Sequence, residues 1–405
     1  MKKTTSIRSK FQPSQLAALT AGLLISLPAI QVQASGFRVP EISTTGMGLS
    51  NALVANKDEV GAIAYNPAIM AFHEGHTFQI GATAIGYDLS VNPTGGSQTD
   101  STAKDIFLIP NMFLSAQTSE NITFGLAMNS PFGLETRWPK DTFPAFGGSG
   151  LEPEHSKINM VNVNPSIAIK LGKKTSVAMG IMFYDVNSLV FNTQSIDING
   201  SGSGYGWNLA MLHTTKRVDF GLSYKSSVNT NLKGTVASNL LGGNPARANL
   251  EFPNMLQIGL LYRINDKFNV EFDIERTGWN VFDQIVIEYD NAALGTRTIT
   301  STNNWDNATA YRLGATYQMS DKTKLRFGYS YDETPQPEVT FSPRVPDNNR
   351  QLFSIGVGHD FGGWMLDAAY MHVVVDDRTV AATTFYNGTY ESSVDLLGVG
   401  LSTTF

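Results

Sequence analysis

Apolar and polar residues alternate with a period of two along most of the chain from residue 217 to the C terminus. Between residues 267 and 275, for example, Phe268, Val270, Phe272 and Ile274 alternate with polar or charged residues. Side chains that alternate in this way form β-strands with one apolar and one polar face. A run of such strands with no helical segment between them fits either a soluble sandwich or a barrel that crosses a membrane.

Residues 1–34 have the features of a secretory signal peptide. A basic start, with Lys2, Lys3 and Arg8, precedes an apolar stretch at 16–30. That stretch is shorter than the ~20 residues that a membrane-spanning helix needs. The small residues of Val32-Gln33-Ala34 predict cleavage before Ser35.

The composition excludes several classes of protein. The absence of cysteine removes disulfides and thiol ligands, and the net charge of −6 argues against a nucleic-acid partner. The six histidines show no metal-ligand spacing, and no serine lies close to His372 on its strand face. We therefore expect no enzyme activity, no catalytic residue, no metal and no cofactor.

The connections between the predicted strands alternate between short and long. The fourteen strands are predicted near 77–89, 106–117, 122–132, 159–171, 175–187, 205–213, 217–227, 250–263, 267–289, 305–318, 322–332, 351–361, 364–375 and 390–405, the ninth interrupted near Gly278-Trp279. Six tight turns separate seven long loops, which include 188–204, 228–249 and 290–304. This sorting of loops is typical of an outer-membrane barrel with both termini on the periplasmic side. The sequence therefore predicts an all-β fold, a fourteen-stranded antiparallel transmembrane β-barrel in the bacterial outer membrane.

Ionic residues share one face of the strands at 217–225, 267–275 and 311–318. An Arg or Lys that faces lipid near the bilayer centre costs ~2–4 kcal/mol, so this face must line the lumen. A secreted sandwich with a solvated face is the alternative, but it does not explain the loop parity.

The segment 35–75 lacks strand alternation and is rich in small and apolar residues. We predict a short helical turn at 62–70, capped near Asn66. Because the segment precedes the first strand, we expect it to fold back into the lumen as a plug, with the barrel formed by 76–405. A flexible periplasmic tail is the alternative, although a tail would be richer in charge.

Several motifs of the chain resemble those of the FadL family of outer-membrane transporters for long-chain fatty acids and hydrocarbons. They are Ser35-Gly36-Phe37, Gly46-Met47-Gly48-Leu49-Ser50, Asn66-Pro67-Ala68, the run from Ser130 to Thr136, the run from Arg326 to Pro335, and Pro346-Asp347-Asn348-Asn349-Arg350. The motifs follow the family's order from one end of the mature chain to the other. By this resemblance, Phe37 and Asn66-Pro67-Ala68 belong to the plug, called the hatch in that family.

The residues Asn129, Ser130, Pro131, Phe132 and Gly133 interrupt the third strand. Pro131 has no N–H for the strand ladder, and Gly133 permits a kink. On physical grounds alone, Pro131 could equally end the strand at the outer rim. The resemblance implies that these five residues form an inward kink, which is the family's lateral gate.

The resemblance also implies where ligand would bind. An apolar groove among the outer loops would include Leu240 and Leu241, with Leu232 and Val236 from the same loop, unless these residues only pack within that loop. Ligand would then reach a lumen site near Phe37. Arg312 or Arg326 could hold a carboxylate there, although either cation could instead pair with a lumen acid.

The predicted function is uptake of hydrophobic compounds, with long-chain fatty acids as the expected cargo and lateral release into the membrane. Transport of alkanes or monoaromatic hydrocarbons on the same fold is the first alternative, and a general diffusion porin is the second. The expected partners are the small hydrophobic ligand and outer-membrane lipid, and we expect a monomer.

Overall fold

The computed structural model describes residues 36–103, 106–239 and 242–405, so the predicted signal peptide lies outside the described residues. These residues form a closed antiparallel β-barrel in which the chain crosses the wall fourteen times, as the alternation predicted. Each crossing, here called a stave, is one strand or two consecutive strands. The first strand pairs along one edge with the second stave and along the other with the last strand, which closes the barrel. His76 and Phe405, at the two ends of the barrel chain, exchange backbone hydrogen bonds of 2.8 and 2.9 Å.

The strands follow one another along the chain, with few helical turns between them. They are β1 His76–Pro93, β2 Thr99–Asp100, β3 Ile106–Ser119, β4 Ile122–Asn129, β5 Gly133–Arg137, β6 Pro153–Lys170, β7 Thr175–Thr193, β8 Ile196–Thr214, β9 Val218–Lys225, β10 Val228–Ser238, β11 Gly242–Phe252, β12 Met255–Asn265, β13 Phe268–Thr277, β14 Gln284–Asn291, β15 Gly295–Thr302, β16 Ala308–Ser320, β17 Thr323–Asp332, β18 Arg350–Asp360, β19 Trp364–Val375, β20 Arg378–Val380 and β21 Gly388–Thr404. β2 and β20 are short strands that are not part of the fourteen staves. The third, seventh, eighth, ninth and tenth staves each consist of two consecutive strands, β4–β5, β9–β10, β11–β12, β13–β14 and β15–β16.

The six predicted tight turns are all present, but three of the loops predicted to be long are mostly strand. β7 and β8 extend through 188–204, β10 and β11 through 228–249, and β14 and β15 through 290–302. The prediction was wrong here because it inferred loops from the polar composition of these stretches. In β10 the buried residues Leu232 and Val236 alternate with exposed polar residues such as Lys233, so the strand continues with its apolar side chains pointing inward. The predicted interruption near Gly278-Trp279 is confirmed, since a 3-10 turn at Trp279–Val281 separates β13 from β14.

The two faces of the barrel wall differ as predicted. Outward positions carry exposed apolar side chains such as Ile258, Phe272 and Leu313. Inward positions carry buried ionic residues, among them Asp273 and Arg312, each 1% exposed. The ionic face of the strands therefore points into the barrel, where charge can be paired away from lipid.

The N-terminal segment, Gly36–Gly75, packs against this inward face. It contains a one-turn α-helix at Thr44–Met47 and 3-10 helices at Val60–Ala64 and Pro67–Phe72, which confirm the predicted helical turn. The backbone N–H groups of Leu53 and Val54 donate to the Asp273 carboxylate, at 2.8 and 3.1 Å. None of the described helices has the length and apolar character needed to cross a bilayer.

Glycines on the inward face allow the N-terminal segment to approach the wall closely. A Cβ atom at Gly328 would lie 2.3 Å from the Leu49 carbonyl carbon, and one at Gly221 would lie 2.2 Å from the Val54 oxygen. Side chains at these positions would collide with backbone that cannot move aside cheaply. The glycines of the strands thus determine how deeply the segment sits.

Candidate functional site

The third stave is broken between β4 and β5. β4 pairs with β6 as far as Asn129↔Asn162, and β5 resumes with Gly133↔Asn159. The four steps from residue 129 to 133 thus face three steps from 162 to 159, so the third stave contains one extra residue at this point. An extra residue bends its strand, and Pro131, which cannot donate to a ladder, lies inside the bend. The predicted gate residues therefore form a bulged kink.

The kink leaves part of β3 without a strand partner on one side. β3 pairs with β4 only from Met112↔Met128 to Ser119↔Ile122, whereas β5 pairs only with β6. Among the described residues, Ile106 to Asn111 therefore pair with β1 alone. Above this stretch, the Thr102 N–H donates to the Arg137 carbonyl at 2.7 Å. The result is a bounded interruption in the strand pairing of the barrel wall.

Backbone groups of the N-terminal segment replace the missing strand partner of the kink. The Val39 N–H donates to the Pro131 carbonyl at 2.9 Å, and the Gly133 N–H donates to the Phe37 carbonyl at 3.0 Å. Arg38 and Phe132 are the bridge partners between these two bonds. The predicted plug residue Phe37 and the predicted gate residues are thus in direct contact.

Phe37 lies within a group of buried aromatic rings, here called the Phe37 cluster. Its ring centroid is 4.6 Å from that of Trp279, 5.3 Å from Phe282, 5.8 Å from Trp305, 6.0 Å from Phe132 and 6.3 Å from Phe252. Rings at these separations attract one another beyond their buried area, by about 0.5–1.5 kcal/mol for each pair. The cluster is a packed apolar core directly inside the kink.

An apolar lining continues from the Phe37 cluster towards the long-loop end of the barrel. It includes Leu189, Ile198, Leu232, Val236, Leu250 and Ile287, which are buried in the same apolar core as Phe37. Leu232 and Val236 therefore face the interior and do not lie in a free loop. Leu240 and Leu241 lie outside the described residues, so the outer groove proposed for them stays a prediction.

The two arginines predicted for ligand binding already have acidic partners. Arg312 lies 3.2 Å from Asp332 and 3.6 Å from Glu275. Arg326 lies 3.0 Å from Glu59 of the N-terminal segment and 2.7 Å from Asp367. These contacts place both guanidinium groups on the ionic face predicted for them, and their role towards ligand stays a prediction.

Two other buried cations have no acidic partner within ion-pair distance among the described residues. The Lys225 ammonium group donates to the Ala64 carbonyl at 3.0 Å, and its strand neighbour Met255 belongs to the same apolar core as Phe37. Arg344 donates to the Ser156 hydroxyl at 2.9 Å, and its guanidinium lies 3.7 Å from the ring centre of Phe191. Burial lowers the pKa of Arg344 to about 10, so it remains a cation at neutral pH. These two cations lie along the apolar lining.

The Asn66-Pro67-Ala68 motif fixes the N-terminal segment to two staves. The Asn66 side-chain oxygen accepts from the Ala68 N–H at 3.0 Å and caps the 3-10 helix, as predicted. Its amide nitrogen donates to the Val54 and Met211 carbonyls, at 2.8 and 3.0 Å. The Ala68 carbonyl accepts from the Ser176 hydroxyl at 2.7 Å. Each residue of the motif that makes these contacts is buried.

Sequence reasoning missed Lys225, Arg344 and most of the Phe37 cluster. Lys225 lies on the polar face of its strand, and that parity was a usable signal. Trp279 and Trp305 lie far along the chain from Phe37, and only the closed barrel brings them together. The described residues contain no group of three or more His, Asp or Glu side chains that could hold a metal ion.

Comparison with known proteins leads to the same family. Residues 25–405 match the model of the family described as outer membrane protein transport protein (OMPP1/FadL/TodX). The chain is 23% identical to the long-chain fatty acid transport protein of Escherichia coli, over 91% of this chain and 93% of that protein. It is 22% identical to outer membrane protein P1 of Haemophilus influenzae, over 98% of this chain and 100% of that protein.

Solved structures share the fold. A FadL homologue from Pseudomonas aeruginosa superposes with a TM-score of 0.79 at 19% identity, covering 92% of this chain and 100% of its own. The toluene transporter TodX of Pseudomonas putida gives a TM-score of 0.71 at 16% identity, covering 93% and 99%. The resemblance drawn from the motifs and the predicted outer-membrane location are confirmed. The chain belongs to the outer membrane protein transport protein family (OMPP1/FadL/TodX).

Proposed function

We propose that this protein takes up hydrophobic molecules, chiefly long-chain fatty acids, and releases them sideways into the outer membrane beside the kink. The single observation that supports this most strongly is the continuous apolar core from Leu232 and Val236 to Phe37 and Phe132. It leads to the interruption of strand pairing between β3 and β5.

The free energy of hydration favours such a route. An alkyl chain loses ~0.8 kcal/mol for each methylene that leaves an apolar environment for water. A water-filled pore would therefore oppose a long chain at every step, whereas an apolar lining that ends at a lateral opening keeps the chain out of water. The N-terminal segment would act as a plug that blocks the direct path through the barrel, which argues against a diffusion porin.

The unpaired cations favour a cargo with a carboxylate. Lys225 and Arg344 lie along the apolar lining and have no acidic partner within ion-pair distance among the described residues. A fatty acid would supply the missing anion, and each charged hydrogen bond contributes about 1.5–3 kcal/mol. A toluene-like cargo, which the name of one structural relative suggests, would leave both cations unmatched, so it is the second candidate.

The test is uptake by cells that lack their own fatty acid carrier and express the intact protein. We expect uptake of a labelled long-chain fatty acid, weaker uptake of toluene, and no swelling of protein-containing liposomes in a small sugar. Appreciable sugar flux through the folded barrel would contradict the proposal. Toluene uptake without fatty acid uptake would favour the second candidate.

A further inference from the structure

Four buried side chains near the opening lack hydrogen-bond partners. Gln79 and Thr83 of β1, Asn111 of β3 and Thr44 of the one-turn helix are each at most 3% exposed. Both amide atoms of Gln79 and Asn111 and both threonine hydroxyls find no partner among the described residues. A buried polar group left in this state costs about 1–3 kcal/mol, so these atoms are suited to meet a polar group from outside the chain.

The four side chains surround a patch of glycines. On β1, Gln79 and Thr83 flank Gly81, which pairs with Asn111 on one side and with Gly400 on the other. A Cβ atom at Gly400 would lie 3.0 Å from the Thr44 hydroxyl oxygen. One at Gly81 would lie 3.1 Å from the Asn111 side-chain oxygen. The polar groups thus converge where the wall itself has no side chains.

This polar patch lies beside the interruption between β3 and β5, at the end where the pairing of β3 with β4 stops. Asn111 directly precedes Met112, whose pair with Met128 is the last between β3 and β4. If that register continued, Asn111 would face Asn129, the first of the predicted gate residues. A molecule that leaves between β3 and β5 therefore passes the Asn111 amide.

The patch itself carries no formal charge. On the neighbouring strand β19, Asp367 lies opposite Gly400, and its carboxylate is paired with Arg326 at 2.7 Å. The inward positions of β1, β3 and β21 around it are Thr77, Gln79, Gly81, Thr83, Asn111, Phe113, Ser115, Gly398, Gly400 and Ser402. Neutral amides and hydroxyls match a neutral polar group, because a buried ion would need a counter-charge.

We propose that Gln79, Thr83 and Asn111 bind the uncharged polar end of an amphipathic cargo, a protonated carboxylic acid or an alcohol, as it enters the bilayer. This site rests on the proposed function and refines its substrate class. A carboxylic acid pairs with a primary amide in one plane: its O–H donates to the amide oxygen, and its carbonyl oxygen accepts from one of the two amide N–H groups. A carboxylate that reaches the patch first takes a proton from hydronium in the surrounding water, which becomes water, and the neutral acid then enters lipid without a buried charge.

The experiment compares uptake of a long-chain fatty acid, the fatty alcohol of equal length and the matching alkane. The variants are Asn111→Leu and Thr83→Val, which keep nearly the same volume. The control is Thr316→Val on β16, because its hydroxyl is also buried and unpartnered but lies away from the opening. Folding of each variant is checked by the heat-dependent gel shift of the barrel.

For Asn111→Leu we expect uptake of the acid and the alcohol to fall about tenfold, which corresponds to the loss of two hydrogen bonds, while alkane uptake stays unchanged. Thr83→Val should give a smaller loss in the same direction, and the control should give none. An equal loss for all three cargoes, or unchanged acid uptake in both variants, would overturn the site. A wild-type protein that takes up none of the three would instead overturn the proposed function and the site with it.

Discussion

Arg38 of the N-terminal segment and Phe132 of the kink face each other in an antiparallel bridge. The hydrogen bonds on either side of this pair join Val39 to Pro131 and Gly133 to Phe37, at 2.9 and 3.0 Å. The residues that stop pairing with β3 therefore pair with the segment that holds Phe37. Movement of this part of the segment away from the kink must break these two bonds, so the Phe37 cluster and the kink are mechanically linked.

A disulfide across this bridge should stop transport. In a bridge of this type the two Cα atoms lie about 4.5–5.5 Å apart, within the range that a disulfide spans. The chain has no native cysteine, so Arg38→Cys with Phe132→Cys gives a single possible pair. We expect fatty acid uptake to be lost under oxidising conditions and restored by a reductant. The two single-cysteine variants are the controls, and uptake that is unaffected by oxidation in a fully cross-linked sample would show that the bridge stays closed during transport.

Straightening the kink should reduce uptake while surface binding persists. Pro131→Ala restores an N–H, and a Cβ atom at Gly133 would have no neighbour closer than 3.8 Å, so Gly133→Val is accommodated. With both changes the third stave can pair more fully, which would close the lateral opening. The matched control is Pro165→Ala on β6, where a proline lies opposite Leu126 within regular pairing. Uptake equal to that of the wild type would place the exit elsewhere.

The barrel and the kink were predictable because each of them leaves a local signal in the sequence. Alternation and loop parity determined the barrel, and Pro131 with Gly133 indicated the kink. The extended outer hairpins were missed because their polar composition resembles that of loops, although the apolar residues of β10, Leu232 and Val236, alternate with polar ones and point inward. The Phe37 cluster was not predictable either, because Trp279 and Trp305 reach Phe37 only through closure of the barrel. Pairing of Arg312 and Arg326 with acids of the lumen was expected. Glu59 was not expected as a partner, because its segment has no periodicity from which the direction of its side chain could be predicted.

A side chain at Gly328 should displace the N-terminal segment and leave the barrel folded. Its Cβ atom would lie 2.3 Å from both the Leu49 carbonyl carbon and the Ser50 nitrogen, so Gly328→Val cannot coexist with the observed packing. Overpacking of this kind costs about 1–3 kcal/mol or more. We expect increased liposome swelling in small sugars. The control, Gly243→Val, places a side chain where no atom lies within 4 Å and should leave the liposomes as tight as with the wild type.

Replacement of Lys225 should discriminate between cargoes. Lys225→Met removes a buried cation with no acidic partner within ion-pair distance among the described residues, so the barrel should tolerate the change. Affinity for a fatty acid should fall by about 2 kcal/mol, or roughly thirtyfold, with affinity for toluene unchanged. Lys225→Arg should restore most of the loss, and Lys233→Met, which removes an exposed lysine of β10, is the control. Equal losses for both cargoes in a binding titration would show that Lys225 acts by supporting the N-terminal segment.

Acid should weaken the attachment of the N-terminal segment through Glu59. Burial raises the pKa of the Glu59 carboxyl, but Arg326 and Lys324 lower it by more, so its pKa lies below the ordinary value of 4.5. Because the folded protein holds this proton more weakly than an exposed carboxyl does, the ion pairs stabilise the attached segment above pH 4.5. That contribution disappears as the pH falls through the lowered pKa.

The measurement is hydrogen exchange of residues 53–65 in the wild type and in Glu59→Gln, compared at each pH so that intrinsic exchange rates cancel. At neutral pH the variant should lose about 3 kcal/mol of protection, because two cations lose a buried partner. As the pH falls through the lowered pKa of Glu59, the two proteins should come to exchange alike, because the wild-type carboxyl is then protonated as well. Glu74→Gln, at an exposed residue, should behave as the wild type at every pH. A difference between wild type and Glu59→Gln that does not change with pH would mean that the ion pairs with Arg326 and Lys324 do not hold the segment.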